Sequence, residues 1–345
     1  MAEQPRVRWG ILGDAAINDA FIPGVQAASN SELVALASRR PEAGGRAAAR
    51  WSILKVHGSY EELLADSQID AVYIPLPNHL HATWTVRAAD AGKHVLCEKP
   101  LALTVSELRD IQRAAGRNNV QVMEAFMYRF LPRWRKAERM VWSGAIGDPR
   151  IVRIGFAFYH PPAGYNIRFD PQVGGGIIWD MGCYAVNMAR MLFRAEPISA
   201  YAAPHSRPGA EVETSVEMIL RFPDDRSALG HVSFDYSNPY SQAEVVGTEG
   251  WISLPGTGFR REPATYLLHH HYDDPDDEIF LHKAEPETER FPLTDPYRLE
   301  TEHFADAVLG KTPLRYGLDD AMYNTRALLA LHESARTGKE VSIGA

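Results

Sequence analysis

The strongest constraint on the fold is an alternation of short apolar runs with helix-patterned segments from residue 7 to about residue 125. Strand candidates lie at 7–12, 33–37, 71–74 and 94–97, with a weaker one at 120–123. Between them fall helical patterns near 21–28, 42–51, 60–65, 80–91 and 105–116. Strand and helix in strict succession imply a parallel sheet covered on both faces, the doubly wound α/β class.

After residue 125 the rhythm changes. A helix-like stretch at 133–143 precedes strand candidates at 151–159, 215–222, 228–236, 243–246 and 266–272, and helical patterns at 297–309 and 318–336 close the chain. Successive strands joined by turn residues, such as Phe222-Pro-Asp-Asp-Arg226, fit an antiparallel sheet. The expected organisation is a dinucleotide-binding type domain over 1–124 and an α+β domain over 125–345. With 345 residues and 45% hydrophobic content, the chain is long enough for two cores.

Charge narrows the partners. A formal net charge of -8 leaves no basic footprint for nucleic acid and no polybasic patch for a membrane surface. The N-terminus reads as neither a leader nor an anchor, and no apolar run is long enough to span a bilayer, so a cytoplasmic location is expected. Two cysteines, Cys97 and Cys183, are too few for a disulfide framework or a structural zinc site.

"RWGILGDAAIN" follows the first strand and opens the first helix, where a dinucleotide phosphate turn belongs. With Gly13 as the first glycine of G-x-G-x-x-G, the second position is Ala15 and the third Asn18, so a plain strand-to-helix turn stays open. Asp14 adds a negative charge near where phosphates would sit, and Asn18 is bulkier than close helix packing normally takes. The second strand ends in "ALASRRPEAG", with no acidic residue for a ribose 2′-OH. Ser38, Arg39 and Arg40 suit a 2′-phosphate, which favours NADP over NAD; the alternative is a solvated arginine pair.

"HVLCEKPLA", residues 94–102, puts Glu98 and Lys99 at the C-terminal end of the fourth strand candidate, the edge where open α/β sheets bind ligands. Pro100 restrains the backbone there. In "GGGIIWDMGCYAVNMAR", Asp180 and Tyr184 are four apart and share a helix face. They are either a structural hydrogen bond or, beside a lysine, proton-handling groups. A nearby ammonium favours phenolate and suits a tyrosine to general-base work.

Together these segments resemble the Gfo/Idh/MocA oxidoreductases over nearly the whole chain. The likeness rests on "GILGDAAIN", "ELVALASRRPE", "DAVYIPLPNHLHATWTVRAADAGKHVLCEKPLA", "GGGIIWDMGCYAVNMAR" and the closing "HFADAVLGKTPLRYGLDDAMYNTRALLALHESARTGKEV". Pro77-Asn78-His79-Leu80-His81 followed by Glu98-Lys99-Pro100 is specific in that order. The resemblance implies a Rossmann domain, then a domain with a large open, mainly antiparallel sheet, often used to make homodimers or homotetramers. It implies Lys99 as the catalytic lysine and Asp180 and Tyr184 as the acid/base pair. Cofactor would be held by Gly13, Ala15, Ala16, Ile17, Ser38, Arg39 and Arg40, and at its nicotinamide end by Leu76, Pro77, Asn78, His81, Glu98 and Lys99, with Arg168 holding cofactor or closing the cleft. Many relatives have His where this chain has Tyr184; the tyrosine version is similar to the sugar and dihydrodiol dehydrogenase branch.

The expected chemistry is hydride transfer between nicotinamide C4 of NADP, with NAD as the alternative, and a hydroxyl-bearing carbon of a sugar or cyclic polyol. No metal is required. His269-His270-His271 lies in a strand-like stretch where neighbours face opposite ways, a wet sheet surface or interface rather than a metal site. Substrate-contact candidates are Tyr159, His160, Tyr165 and Asn166. A ketosugar reductase acting on a nucleotide-linked sugar would use the same residues. A non-catalytic NADP sensor is the alternative from another class, and the intact Lys99, Asp180 and Tyr184 set argues against it.

Overall fold

The computed structural model describes residues 5–161, 164–237, 241–256, 264–270 and 287–344, with 264–270 described by backbone alone. The chain forms two compact units. The first comprises residues up to Met127 together with Gln172–Gly174 and Asp295–Thr325; the second comprises Tyr128–Pro171, Gly175–Thr294 and the residues from Arg326 onward. Contact, not chain order, defines them, so no single boundary separates the two.

The first unit begins β1 (Val7–Leu12), α1 (Asn18–Ala27), β2 (Ser31–Ala37), α2 (Pro41–Trp51), β3 (Lys55–His57) and α3 (Tyr60–Ala65). It continues with β4 (Ala71–Ile74), α4 (Asn78–Asp90), β5 (His94–Glu98), α5 (Val105–Asn118) and β6 (Val122–Ala125). The strands form one sheet in the order β3-β2-β1-β4-β5-β6, every pair parallel. All of β4, nearly all of β1 and the three central residues of β5 are buried, because helices cover both faces. This is the expected doubly wound sheet. One strand escaped the sequence pattern: β3 is three largely exposed residues at the sheet edge, with no apolar run to announce it. Lys99 therefore follows the fifth strand, not the fourth.

The second unit holds α6 (Pro132–Trp142), β7 (Pro149–Ala157), a π-helical turn (Ile178–Gly182), α7 (Cys183–Phe193), β8 (Ser199–His205), β9 (Ser215–Phe222), β10 (Arg226–Ser233), β11 (Gln242–Gly247), β12 (Gly250–Pro255), β13 (Ala264–His270) and β14 (Glu287–Phe291). Then come α8 (Pro296–Val308), which groups with the first unit, α9 (Leu318–Thr337) and β15 (Val341–Ser342). Nine strands form a sheet in the order β14-β13-β12-β11-β7-β10-β9-β8-β15; only β7 and β10 run parallel. Burial alternates along β9, the mark of a sheet covered on one face. The mostly antiparallel sheet is as expected, but β8, β12, β14 and β15 carry no clear strand signal in the sequence. His271 lies outside the described residues; His269 and His270 are described only as backbone, paired with Trp251 and Gly250.

Helix α8 completes the first core. Trp9 is fully buried with its ring 6.0 Å from Phe21 and 5.5 Å from Phe304 of α8. Gly24 of α1 lets the α8 backbone pass, since a Cβ there would stand 2.8 Å from the Arg298 nitrogen. Asn30 donates its side-chain amide to the Glu302 carbonyl at 2.8 Å and to Asp306 at 2.9 Å.

Candidate functional site

In the first unit, the chain leaves β1 through Gly13 at φ +115°, a conformation that a side chain would strain. A Cβ there would also press on Leu76 at 3.0 Å. Asn18, the doubtful third position of the glycine motif, is accommodated by folding back: its amide donates to the Gly13 carbonyl at 3.0 Å, and its buried Oδ1 has no hydrogen-bond partner among the described residues. Asp14 is exposed. Helix α1 starts after Ile17 with no side-chain cap; the Asn18, Asp19 and Ala20 amides donate to the carbonyls of Ala15, Ala16 and Ile17, so what the helix offers an anion is its positive dipole end. Beyond β2, the buried Ser38 hydroxyl donates to the Arg40 carbonyl and accepts the Arg40 amide, while Arg39 and Arg40 are exposed. The Arg39 guanidinium lies 5.6 Å from the Tyr60 ring centroid. An uncapped helix start, a glycine-dependent turn and exposed arginines fit a phosphorylated dinucleotide.

The end of β5 is built on buried polar groups. The Tyr73 hydroxyl, inside β4, donates to Glu98 Oε1 at 2.5 Å, and the Tyr73 ring stacks on Phe21 at 3.5 Å. Burial, and then the charge of Glu98, pushes the phenol well above its ordinary range. Glu300 of α8 is fully buried, and neither of its oxygens has a hydrogen-bond partner among the described residues. Burial first and Glu98 second push this carboxyl well up, so it is held neutral. Lys99 meets Pro100 through a cis peptide bond.

His81 is fully buried, with Nδ1 2.7 Å from the Pro100 carbonyl and Nε2 2.6 Å from the Leu76 carbonyl. Burial, helped by the Lys99 charge, lowers its pKa to about 4 against the pull of those carbonyls. The ring thus lies between the Leu76–Pro77 loop and the Glu98–Pro100 loop, and in its neutral form its one N–H donates to one of the two carbonyls. Asn78 opens α4 and donates its amide to the Gly174 carbonyl at 2.8 Å.

The second unit places Asp180 by a different device. Gly175 donates to the Asp170 carbonyl at 2.9 Å and Gly176 to the Arg168 carbonyl at 2.8 Å, clasping the glycine run against the turn that bears Arg168. Gly176 sits at φ +110°, and a Cβ there would run into the Glu213 carboxylate at 2.4 Å. Glu213, which the sequence reading missed, accepts the Ile177 amide on its carbonyl and the Ile178 amide on Oε1, and burial raises its pKa. The π turn begins there; such turns recur at functional sites. It presents Asp180, whose Oδ2 lies 3.0 Å from Arg168 Nε. Arg168 is therefore committed to a carboxylate.

Tyr184 begins the next turn and is nearly buried, its ring centroid 6.0 Å from that of Tyr128. Tyr128 donates its hydroxyl to buried Asn187 at 2.6 Å. No local pattern announced either residue. Of the other candidates, Tyr159 and Tyr165 are exposed, the latter donating to Asp170, and Asn166 caps the Arg168 amide at 3.0 Å. Lys99 belongs to the first unit, and Asp180 and Tyr184 to the second.

Comparison with known proteins draws on both units. Residues 7–126 match the model of an oxidoreductase family with an NAD-binding Rossmann fold, and residues 134–253 match that of the GFO/IDH/MocA C-terminal domain. The chain is 38% identical over 337 residues to D-xylose 1-dehydrogenase (NADP(+)) 2 of Haloferax volcanii, covering 97% of this chain and 99% of that one. It is similar in structure to an aldose-aldose oxidoreductase from Caulobacter crescentus complexed with glycerol, with TM-score 0.86, 25% identity and 98% and 99% of the two chains covered. A 3-ketoreductase from Actinomadura kijaniata, in complex with NADP and TDP-benzene, aligns with TM-score 0.85 and 26% identity over 95% of this chain and 98% of that one.

Proposed function

The chain belongs to the GFO/IDH/MocA oxidoreductase family, and from that premise we propose that it is an NADP-dependent dehydrogenase of a sugar or cyclic polyol. The observation that carries the reading is Asp180, presented on a π turn and paired with Arg168, with Tyr184 in the first turn of the helix that follows. It supplies a fixed charge and a phenol, the parts needed to take a proton from an alcohol while its carbon loses hydride.

The first unit would hold the dinucleotide through the Gly13–Ile17 turn, with Ser38, Arg39 and Arg40 at a 2′-phosphate and the loops after β4 and β5 at the nicotinamide. A bound nicotinamide supplies the hydride acceptor. Tyr184 takes the hydroxyl proton, and the ammonium of Lys99 favours its phenolate and binds the substrate oxygen. Asp180, steadied by Arg168, orients the pair electrostatically. His81 stiffens the loops that carry Leu76, Pro77 and Lys99.

The test is steady-state reduction of NADP and of NAD across aldoses and cyclic diols, beside Lys99→Met and Tyr184→Phe. Turnover preferring NADP, reduced about 10²–10⁴-fold in both variants, is expected. Turnover confined to the reducing direction on a nucleotide-linked ketosugar would replace this reading with the reductase. Tight NADP binding with turnover in neither direction would favour the sensor.

Tyr201, Ile219 and Leu229 stand in one cross-strand row on β8, β9 and β10, with Tyr201 and Leu229 exposed. This row is the proposed contact for a homodimer, and sedimentation of Leu229→Glu as a monomer would support it.

A further inference from the structure

His160 lies just past β7, and its backbone is fixed on both sides. Its amide donates to the Phe234 carbonyl at 2.9 Å, and its own carbonyl accepts from Arg207 at 2.7 Å. The ring stands edge-on to Phe158, Phe234 and Phe169, with centroids 5.3, 5.8 and 6.1 Å away. Phe169 directly follows Arg168, the partner of Asp180. Packing thus settles where the imidazole sits. Yet neither ring nitrogen has a protein partner among the described residues, and the residue is half-buried.

We infer that His160 is a specificity-determining residue that hydrogen-bonds a hydroxyl of the polyol other than the one oxidised. This rests on the proposed alcohol oxidation. A neutral imidazole offers one donor and one acceptor, which a hydroxyl can meet in either sense, while the phenylalanine rings beside it suit the C–H face of a sugar. Burial and then Arg168 lower the pKa of His160, with Arg207 acting the same way and Asp180 opposing, so the ring is neutral and suited to that role. Arg207 is itself ion-paired with Asp235 at 3.0 Å and lies over the Phe169 ring at 4.7 Å. The wall around His160 therefore spends its cation internally, which favours an uncharged ligand over a phosphorylated one.

The test compares wild type with His160→Phe, which keeps the aromatic packing, and His160→Gln, which restores a hydrogen-bonding group. Substrates are D-xylose, D-glucose and their monodeoxy analogues, with NADP saturating. His160→Phe is expected to raise KM about tenfold with kcat little changed, and His160→Gln to recover part of the loss. One monodeoxy analogue should be poorer than its parent for wild type but equal to it for His160→Phe. An unchanged KM, or equal penalties on every analogue, overturns the assignment. If wild type turns over neither sugar, the dehydrogenase reading fails separately. The imidazole nitrogen resonances of His160 are then followed as each sugar is added: a shift keeps the binding role, and no shift with either sugar ends it.

Discussion

The candidate residues of the first unit and those of the second are held in place by different means. In the first unit, Glu98 and Lys99 end a strand buried in a parallel sheet, and the groups behind them, Tyr73, His81 and Glu300, are fully buried. In the second, Asp180 stands on an irregular helical turn set by three glycines and the Glu213 carboxylate. The first set sits on a regular strand backed by fully buried groups, and the second on an irregular turn clasped by backbone bonds of Gly175 and Gly176 and by Glu213 on the Ile177 and Ile178 amides. Damage to the first should show as lost stability, and damage to the second as lost rate.

The largest expected effect is in acid, where each unit carries a buried histidine with a pKa of about 4: His81, set between two carbonyls, and His332, its ring tilted against Trp179 at 4.5 Å with Nε2 lacking a partner among the described residues. Each folded value lies below the ordinary 6.5. The unfolded chain therefore gains protons first, and stability held above about pH 6.5 is lost as pH falls toward 4, by about 3 kcal/mol per ring. Urea unfolding at pH 7 and 4.5 should find His332→Phe less acid-sensitive than wild type. An equal loss in both would remove His332 from the account.

Paired glycine substitutions test the contrast directly. Gly176→Ala should lower kcat/KM about 10²-fold by displacing Asp180, with NADPH affinity unchanged. Gly13→Ala should weaken NADPH binding roughly 5- to 30-fold, the effect of one or two kcal/mol, and spare kcat at saturating cofactor. If both variants lose cofactor affinity alike, the two sets are not independent. A last test concerns Glu300, whose carboxyl is pushed up by burial. The unfolded state ionises first as pH rises, so wild type loses stability on the alkaline side and Glu300→Gln does not. Tm measured from pH 5 to 9 should diverge in favour of the variant as pH rises; parallel curves would remove Glu300 from the account.

The same contrast explains what could be read from the residues alone. Buried parallel strands appear as apolar runs, so the sheet, the glycine turn and the lysine at a strand end were legible. Helical spacing drew attention to Asp180 and Tyr184, but not to the π turn on which Asp180 stands. Their supports were not legible, because each acts from afar: Glu213 on Ile178, Tyr128 on Asn187, and Glu300 from a helix that reaches the Rossmann unit late in the sequence. The edge strand β3 has too few apolar residues to show a period. Asn18 looked like an obstacle because the motif rule counts side-chain bulk, whereas its amide closes the turn on Gly13.

The place of α8 in the first unit also bears on how the chain is made. Trp9 and Phe21 emerge early in synthesis, but the Phe304 ring that packs on Trp9 and the Tyr297–Arg298 backbone beside Gly24 emerge near the end. At ordinary translation rates, roughly 10–40 s separate β6 from the helix that closes this core. During that interval the nascent nucleotide domain carries an uncovered aromatic face on the ribosome, a natural station for a chaperone, and a messenger truncated before α8 would yield a product that keeps that face open.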